Sequence, residues 1–89
     1  MFRLWAKIWN NTHLIKDMVV CNDDKKMSRT EKVFQSLDQV CYAFDLSKPI
    51  WLDSTVTAFK RHDKTRFTKD NFIDSIDFDY LEIHIIEED

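Results

Sequence analysis

Residues 2–22 read FRLWAKIWNNTHLIKDMVVCN, and the alternation of their side chains predicts a β-hairpin. Successive side chains of a strand point to opposite faces, so residues 2–9 divide into two sets. One set is Phe2, Leu4, Ala6 and Ile8, and the other is Arg3, Trp5, Lys7 and Trp9. Asn10-Asn11-Thr12 predicts a tight turn, because Asn tolerates the left-handed backbone conformation that hairpin turns need. Residues 13–22 are predicted to return as the second strand.

The pattern does not decide which face of this second strand packs on the core, because apolar residues occur on both faces. One face carries Leu14, Met18 and Val20, and the other carries Ile15, Val19 and Cys21. The pattern therefore predicts a hairpin that is partly apolar on both sides.

A long helix is predicted after the hairpin. Ser28-Arg29-Thr30-Glu31 has the spacing of a capping box, in which Ser28 and Glu31 each bond to the other's backbone N–H. Apolar side chains then recur at the 3.6-residue period of one buried helix face. They are Val33, Phe34, Leu37, Val40, Cys41 and Phe44. Lys48-Pro49 ends the helix, because the residue before proline avoids helical dihedrals.

The remaining residues predict two short helical segments and a last strand. Asp53 or Ser54 is expected to cap a short helix that runs to about His62 and turns Val56 and Phe59 inward. Thr68 is expected to cap a further short turn. The residues that this turn would bury are Phe72, Ile73 and Ile76. Residues 78–87 alternate as a strand, with Leu81, Ile83 and Ile85 on one face and Tyr80, Glu82, His84 and Ile86 on the other.

The predicted fold class is α+β. We expect a three-stranded antiparallel sheet in β-β-α-α-β order, with one long and one or two short helices on one face. The length of 89 residues predicts a single domain over residues 1–89, without repeats or linkers.

The composition excludes several classes of site. The chain has no Gly, so the P-loop, the dinucleotide fingerprint, the nucleophile elbow and the Gly-containing calcium loop are absent. Cys21 and Cys41 form no C-x-x-C motif, so we expect two small hydrophobic residues rather than a zinc or redox site. We therefore predict no cofactor, no metal and no catalytic residue.

The sequence also predicts where the protein resides. Charged residues interrupt the N-terminal segment before an apolar run of signal-peptide length forms, and no stretch is apolar enough to span a membrane. We expect a soluble, cytoplasmic protein without membrane association.

The face of the sheet away from the helices is the first candidate site. If the helices cover Leu4, Ala6 and Ile8, large side chains are left pointing outward. They are Trp5, Trp9, Tyr80 and Ile86. Exposed aromatic patches on soluble proteins usually mark interfaces, so we predict a homo-oligomer or a complex with a partner protein. Two other interpretations stay open: the segment around Trp51 covers Trp5 and Trp9, or the two faces are inverted.

A basic segment supports an alternative function. Residues 60–69 carry five bases against Asp63, a net charge of +4. The bases are Lys60, Arg61, Lys64, Arg66 and Lys69. They suggest a regulator that binds nucleic acid or a phosphorylated ligand, although the overall pI of about 5.5 opposes polyanion binding. A solvated helix end and loop, paired partly with the acidic residues 70–89, is the simpler explanation of the segment.

A third hypothesis is an enzyme whose site forms between subunits near His62 and Asp63. It requires these side chains to line a pocket rather than a convex surface.

Several segments together resemble a family of short uncharacterised bacterial proteins. They are Lys48-Pro49-Ile50-Trp51-Leu52-Asp53, Phe59, Lys64-Thr65-Arg66-Phe67, Asp70-Asn71-Phe72-Ile73, residues 76–83 and Glu87-Glu88-Asp89. The resemblance spans most of the chain and implies a cytoplasmic bacterial protein of full natural length. It transfers no activity and no site residue.

Overall fold

A computed structural model describes residues 1–88 as an α+β fold, which confirms the predicted class. The strands are β1 (Phe2–Asn10), β2 (His13–Asn22), β3 (Lys64–Phe67) and β4 (Tyr80–Glu87), and the helices are α1 (Arg29–Ala43) and α2 (Asp53–His62). A single 3-10 turn spans Lys69–Asn71. All strand pairs are antiparallel, and the order across the sheet is β2-β1-β4-β3.

The sheet has four strands, so the predicted three-stranded sheet in β-β-α-α-β order is wrong in detail. The additional strand is β3, which the sequence interpretation treated as a loop. It has only four residues, too few for alternation to stand out against the surrounding charges. Thr65 and Phe67 of β3 are nevertheless buried, while Lys64 and Arg66 are exposed, as period two requires.

Left-handed residues make two of the reversals that place the strands beside one another. Asn11 (φ 52°) and Thr12 (φ 64°) close the hairpin between β1 and β2, in the conformation of a two-residue turn that matches the strand twist. Asp63 (φ 56°) ends α2 and leads directly into β3. Its carbonyl accepts a hydrogen bond from the N–H of Ile85 at 2.8 Å, which fixes the start of β3 beside β4.

The core lies between one face of the sheet and the two helices. The predicted inward residues of β1 and β4 are all buried: Phe2, Leu4, Ala6, Ile8, Leu81, Ile83 and Ile85. They form one cluster with Val33, Leu37, Val40 and Cys41 of α1 and with Phe59 of α2. On β2, Val20 is buried and Met18 packs against the cluster, so these two residues identify its core side.

Helix α1 begins as predicted, with a different hydrogen-bond pattern at its cap. The hydroxyl of Ser28 accepts from the N–H of Glu31 at 3.2 Å and donates to the Glu31 carboxylate, also at 3.2 Å. Phe34 was predicted to be buried and is 48% exposed. It lies at the margin of the stripe and packs edge-on against Trp51, at 5.9 Å between ring centroids.

The two later caps differ in outcome. Leu52 is the N-cap of α2 and makes no side-chain bond, so the expectation of Asp53 or Ser54 as cap is wrong. Thr68 caps the 3-10 turn as predicted, with Asn71 completing a capping box. Phe72 is buried as expected, whereas Ile73 is 84% exposed, because the backbone is extended at Phe72 and successive side chains then point to opposite sides.

No helix among residues 1–88 is long and apolar enough to cross a membrane.

Candidate functional site: the open face of the sheet

The face of the sheet opposite the core carries side chains in three rows that cross the strands. We call it the open face. The strand registers align Val19, Trp5, His84 and Lys64 as the Trp5 row; Asp17, Lys7, Glu82 and Arg66 as the charge ladder; and Leu14, Trp9 and Tyr80 as the Trp9 row. A mainly apolar and aromatic row thus lies on each side of a charged row, and the Trp5 row ends in Lys64 on β3.

The charge ladder alternates in sign from β2 to β3 and is connected through Glu82. Lys7 Nζ lies 3.3 Å from Glu82 Oε1, and Arg66 Nε lies 3.9 Å from Glu82 Oε2. Glu82 is only 9% exposed although it points away from the core. Its neighbours on three strands shield it from water, so its charge is compensated locally and not by solvent.

Both tryptophans of the open face donate to carboxylates of the ladder. Trp5 Nε1 donates to Asp17 Oδ2 at 2.9 Å, and Trp9 Nε1 donates to Glu82 Oε1 at 3.3 Å. The polar edge of each indole is therefore satisfied within the chain.

The cations of the ladder also lie against aromatic rings. Lys7 Nζ is 3.8 Å from the centroid of the Trp5 ring, and the Arg66 guanidinium carbon is 4.6 Å from that of Tyr80. These distances are within the range of cation–π attraction. The ladder thus holds the rings of both flanking rows in position.

The structure brings three of the four predicted interface residues together. Trp5, Trp9 and Tyr80 lie on the open face and are half-buried. Ile86 is 45% exposed and lies at the margin, where the register of β1 and β4 shifts. Trp51 lies on the other side of the sheet, 5.1 Å from the ring centroid of Phe67 in the core.

The five bases of residues 60–69 are distributed over separate surfaces. Lys64 and Arg66 lie on the β3 part of the open face, and Arg66 is engaged with Glu82. Lys60 lines a groove of about 230 Å³ between α1 and α2. Arg61 is exposed on α2, and Lys69 is in the 3-10 turn. The five do not converge on one anion-binding centre.

His62 and Asp63 are also separated. His62 lines a cleft of about 390 Å³ beside β3, together with Thr55 and Thr65. Asp63 does not line this cleft, and its carboxylate pairs with Arg29 Nη2 at 2.7 Å. The two side chains therefore do not form a shared acid–base site within one chain.

Cys41 is buried in the core, 3% exposed. Burial, and secondarily the negative charge of Asp38, raise the pKa of its thiol from 9.0 to about 11, against a smaller opposing effect of Lys48. A thiol with this pKa is protonated and unreactive at neutral pH. Residues 1–88 contain no group of three or more His, Cys, Asp or Glu side chains arranged to hold a metal ion.

The sequence interpretation missed the charge ladder. Lys7 and Glu82 were placed on the outward faces of their strands, but Asp17 and Arg66 were not joined to them. The alternation within each strand was available as a signal, whereas the register that aligns the four residues was not.

Comparison with known proteins adds no relative, since no protein-family model, curated protein or solved structure matches this chain.

Proposed function

We propose that this chain is a non-enzymatic, cytoplasmic interaction module that binds a second copy of itself through the open face. The observation that carries the proposal is the pair of aromatic rows, whose tryptophans are half-buried outside the core. Aromatic rows of this kind are typical of binding surfaces, because Trp and Tyr combine a large apolar area with a satisfied polar edge.

Charge complementarity favours a second copy as the occupant. The ladder contains two acids and two bases in alternation, so its own net charge is zero. A strongly acidic or basic partner would gain little from such a row, whereas a second ladder can be aligned with each charge opposite its complement. Sheets that pack face to face in this way lie about 10 Å apart, with side chains of both faces between them.

The experiment is light scattering coupled to size-exclusion chromatography, over a range of concentrations. The unaltered chain is expected to approach twice its 10.8 kDa mass. The double variant Trp5→Ser/Trp9→Ser is expected to stay folded by circular dichroism and to elute as a monomer. The matched control is Tyr42→Ser, which removes a ring that is 90% exposed on α1 and should leave the dimer unchanged.

Three results would contradict the proposal. They are an unaltered chain that is monomeric at the highest attainable concentration, a double variant that keeps the dimer mass, and a double variant that fails to fold. The last result would place the rings among the residues that hold the fold together. Val19→Arg provides a second test, because Val19 is 46% exposed in the Trp5 row and its replacement leaves both indoles in place.

The alternative of nucleic acid or a phosphorylated ligand has less support. It requires the five bases of residues 60–69 to act together, and they lie on separate surfaces. Its own prediction is binding to a labelled oligonucleotide that weakens steeply with salt.

A further inference from the structure

We infer that the two copies are related by a two-fold axis that lies in the interface between the two sheets. The axis runs parallel to the strands and passes over the line midway between β1 and β4. The inference rests on the proposed function, since it requires the open faces to meet. It follows from the order of charges along the ladder. From β2 to β3 this order is Asp17, Lys7, Glu82 and Arg66, which is minus, plus, minus, plus.

A two-fold axis parallel to the strands reverses the order of the strands in the second copy and keeps each row at its own height. Strand β2 then lies opposite β3, and β1 lies opposite β4. Asp17 consequently faces Arg66 of the partner subunit, and Lys7 faces Glu82 of the partner subunit. Because an alternating row of four has opposite signs at mirrored positions, all four contacts join opposite charges.

The other symmetric arrangement gives the reverse result. A two-fold axis in the interface that runs along the ladder, perpendicular to the strands, places each strand opposite its own copy. Asp17 would then face Asp17 of the partner subunit, and each of the other ladder residues would also face its own copy. Facing like charges at an interface is strongly unfavourable, so the ladder selects against this arrangement.

The aromatic rows fit the same axis. Because rows keep their height, the Trp5 row meets the Trp5 row and the Trp9 row meets the Trp9 row. Trp5 then faces His84 of the partner subunit, and Trp9 faces Tyr80 of the partner subunit. Each indole meets a ring, and no charge of the ladder meets an aromatic row. At the two ends of the Trp5 row, Val19 faces Lys64 of the partner subunit. Aligned packing of twisted sheets keeps the two sets of strands within about 30° of each other, which preserves this row-by-row contact.

Cysteine cross-linking distinguishes the two arrangements. Asp17→Cys and Arg66→Cys are introduced separately and together into a Cys21→Ser background, because Cys21 is exposed. Buried Cys41 stays unmodified. Within one chain, positions 17 and 66 are three strand spacings apart, about 14 Å, which is too far for a short bis-maleimide. The reagent is applied at a protein concentration at which light scattering gives the dimer mass, and the products are separated under denaturing conditions.

The inferred axis predicts that the double variant forms covalent dimers, and that an equal mixture of the two single variants does so as well. Each single variant alone should remain monomeric on the denaturing gel, because two copies of position 17 then lie on opposite edges of the interface. The non-reacting control is Asp45→Cys, which lies after α1 and away from the open face.

Two sets of results would overturn the inference and leave the proposed function in place. One is cross-linking of Asp17→Cys alone or Arg66→Cys alone, which would indicate the perpendicular axis or pairing through strand edges. The other is a double variant that is a dimer by light scattering but forms no covalent dimer with the reagent. A chain that remains monomeric by light scattering would instead remove the proposed function, and the inferred axis with it.

Discussion

The ion pair between Lys7 and Glu82 allows the stabilising role of the charge ladder to be measured. The Glu82 carboxylate accepts a hydrogen bond from Trp9 Nε1 at 3.3 Å. Glu82→Gln keeps an oxygen that can accept this bond but removes the negative charge. Lys7→Met keeps the length of the side chain and removes the positive charge. The double variant Lys7→Met/Glu82→Gln completes a thermodynamic cycle, which isolates the interaction between the two residues.

The magnitude follows from the burial of the pair. Lys7 and Glu82 side chains are 12% and 11% exposed, and Nζ and Oε1 are 3.3 Å apart. Exposed pairs contribute roughly 0.2–1 kcal/mol, whereas removing one partner of a buried pair costs roughly 3–5 kcal/mol. This pair is nearly buried on a face that water reaches. Each single variant should therefore lower the free energy of unfolding by about 2 kcal/mol. The double variant should lower it by about as much as one single variant, which gives a coupling of about 2 kcal/mol.

The assay is urea unfolding followed by far-UV circular dichroism, at two protein concentrations, so that dimerisation is separated from folding. A domain of this size has a total stability of roughly 4–13 kcal/mol, and every variant should therefore remain folded in water. Arg66→Met is the comparison, because Arg66 is 61% exposed and 3.9 Å from Glu82. Its loss should stay below about 1 kcal/mol. If the effects of Lys7→Met and Glu82→Gln simply add, the ladder does not hold the open face in the way described.

Three further predictions concern residues outside the open face. Asn71 is 3% exposed and donates from Nδ2 to the Ile50 carbonyl at 2.8 Å and to Thr55 Oγ1 at 2.9 Å, so Asn71→Ala should lower the free energy of unfolding by about 2–4 kcal/mol. Ile73→Ala, at an 84% exposed position, should change it by less than about 0.5 kcal/mol in the same urea titration. The raised pKa of Cys41, about 11 against 9.0, means that the folded chain holds the thiol proton more tightly than the unfolded chain. This stabilisation is complete below pH 9 and decreases as the pH rises toward 11, by at most about 3 kcal/mol. Between pH 8 and 11, the free energy of unfolding should therefore fall less for Cys41→Ala than for the unaltered chain. An equal fall in both would contradict a raised pKa for Cys41.

The regular elements were predictable where a period persisted for several turns or residues. Four alternating pairs identified both faces of β1, and the apolar stripe of α1 from Val33 to Cys41 extended over more than two helical turns. The turn at Asn10-Asn11-Thr12 was predictable because Asn accepts a positive φ more readily than other residues besides Gly. In each case local chemistry and burial favoured the same structure.

The errors arose where tertiary contacts decide. Strand β3 exists because β4 offers an unpaired edge, and four residues with two bases give no periodic signal of their own. Phe34 is exposed because it lies at the margin of the α1 stripe. Its contact with Trp51 depends on the path of residues 44–52. The charge ladder depends on the register of three strand pairs, and no pattern within a single strand specifies that register.

The hydrogen bonding of the open face determines what kind of association it can support. Among residues 1–88, the buried side-chain polar atoms without a hydrogen-bond partner are Ser36 Oγ and Trp51 Nε1, and neither belongs to the three rows. The indoles of Trp5 and Trp9 donate within the chain. An uncovered open face therefore leaves no buried side-chain polar atom of these rows unsatisfied. In the proposed dimer, a second copy would add the burial of half-exposed rings and opposed charges to a core that lies on the other side of the sheet. We therefore expect an association that is reversible and depends on concentration, because covering the rings would stabilise the dimer without contributing to the core.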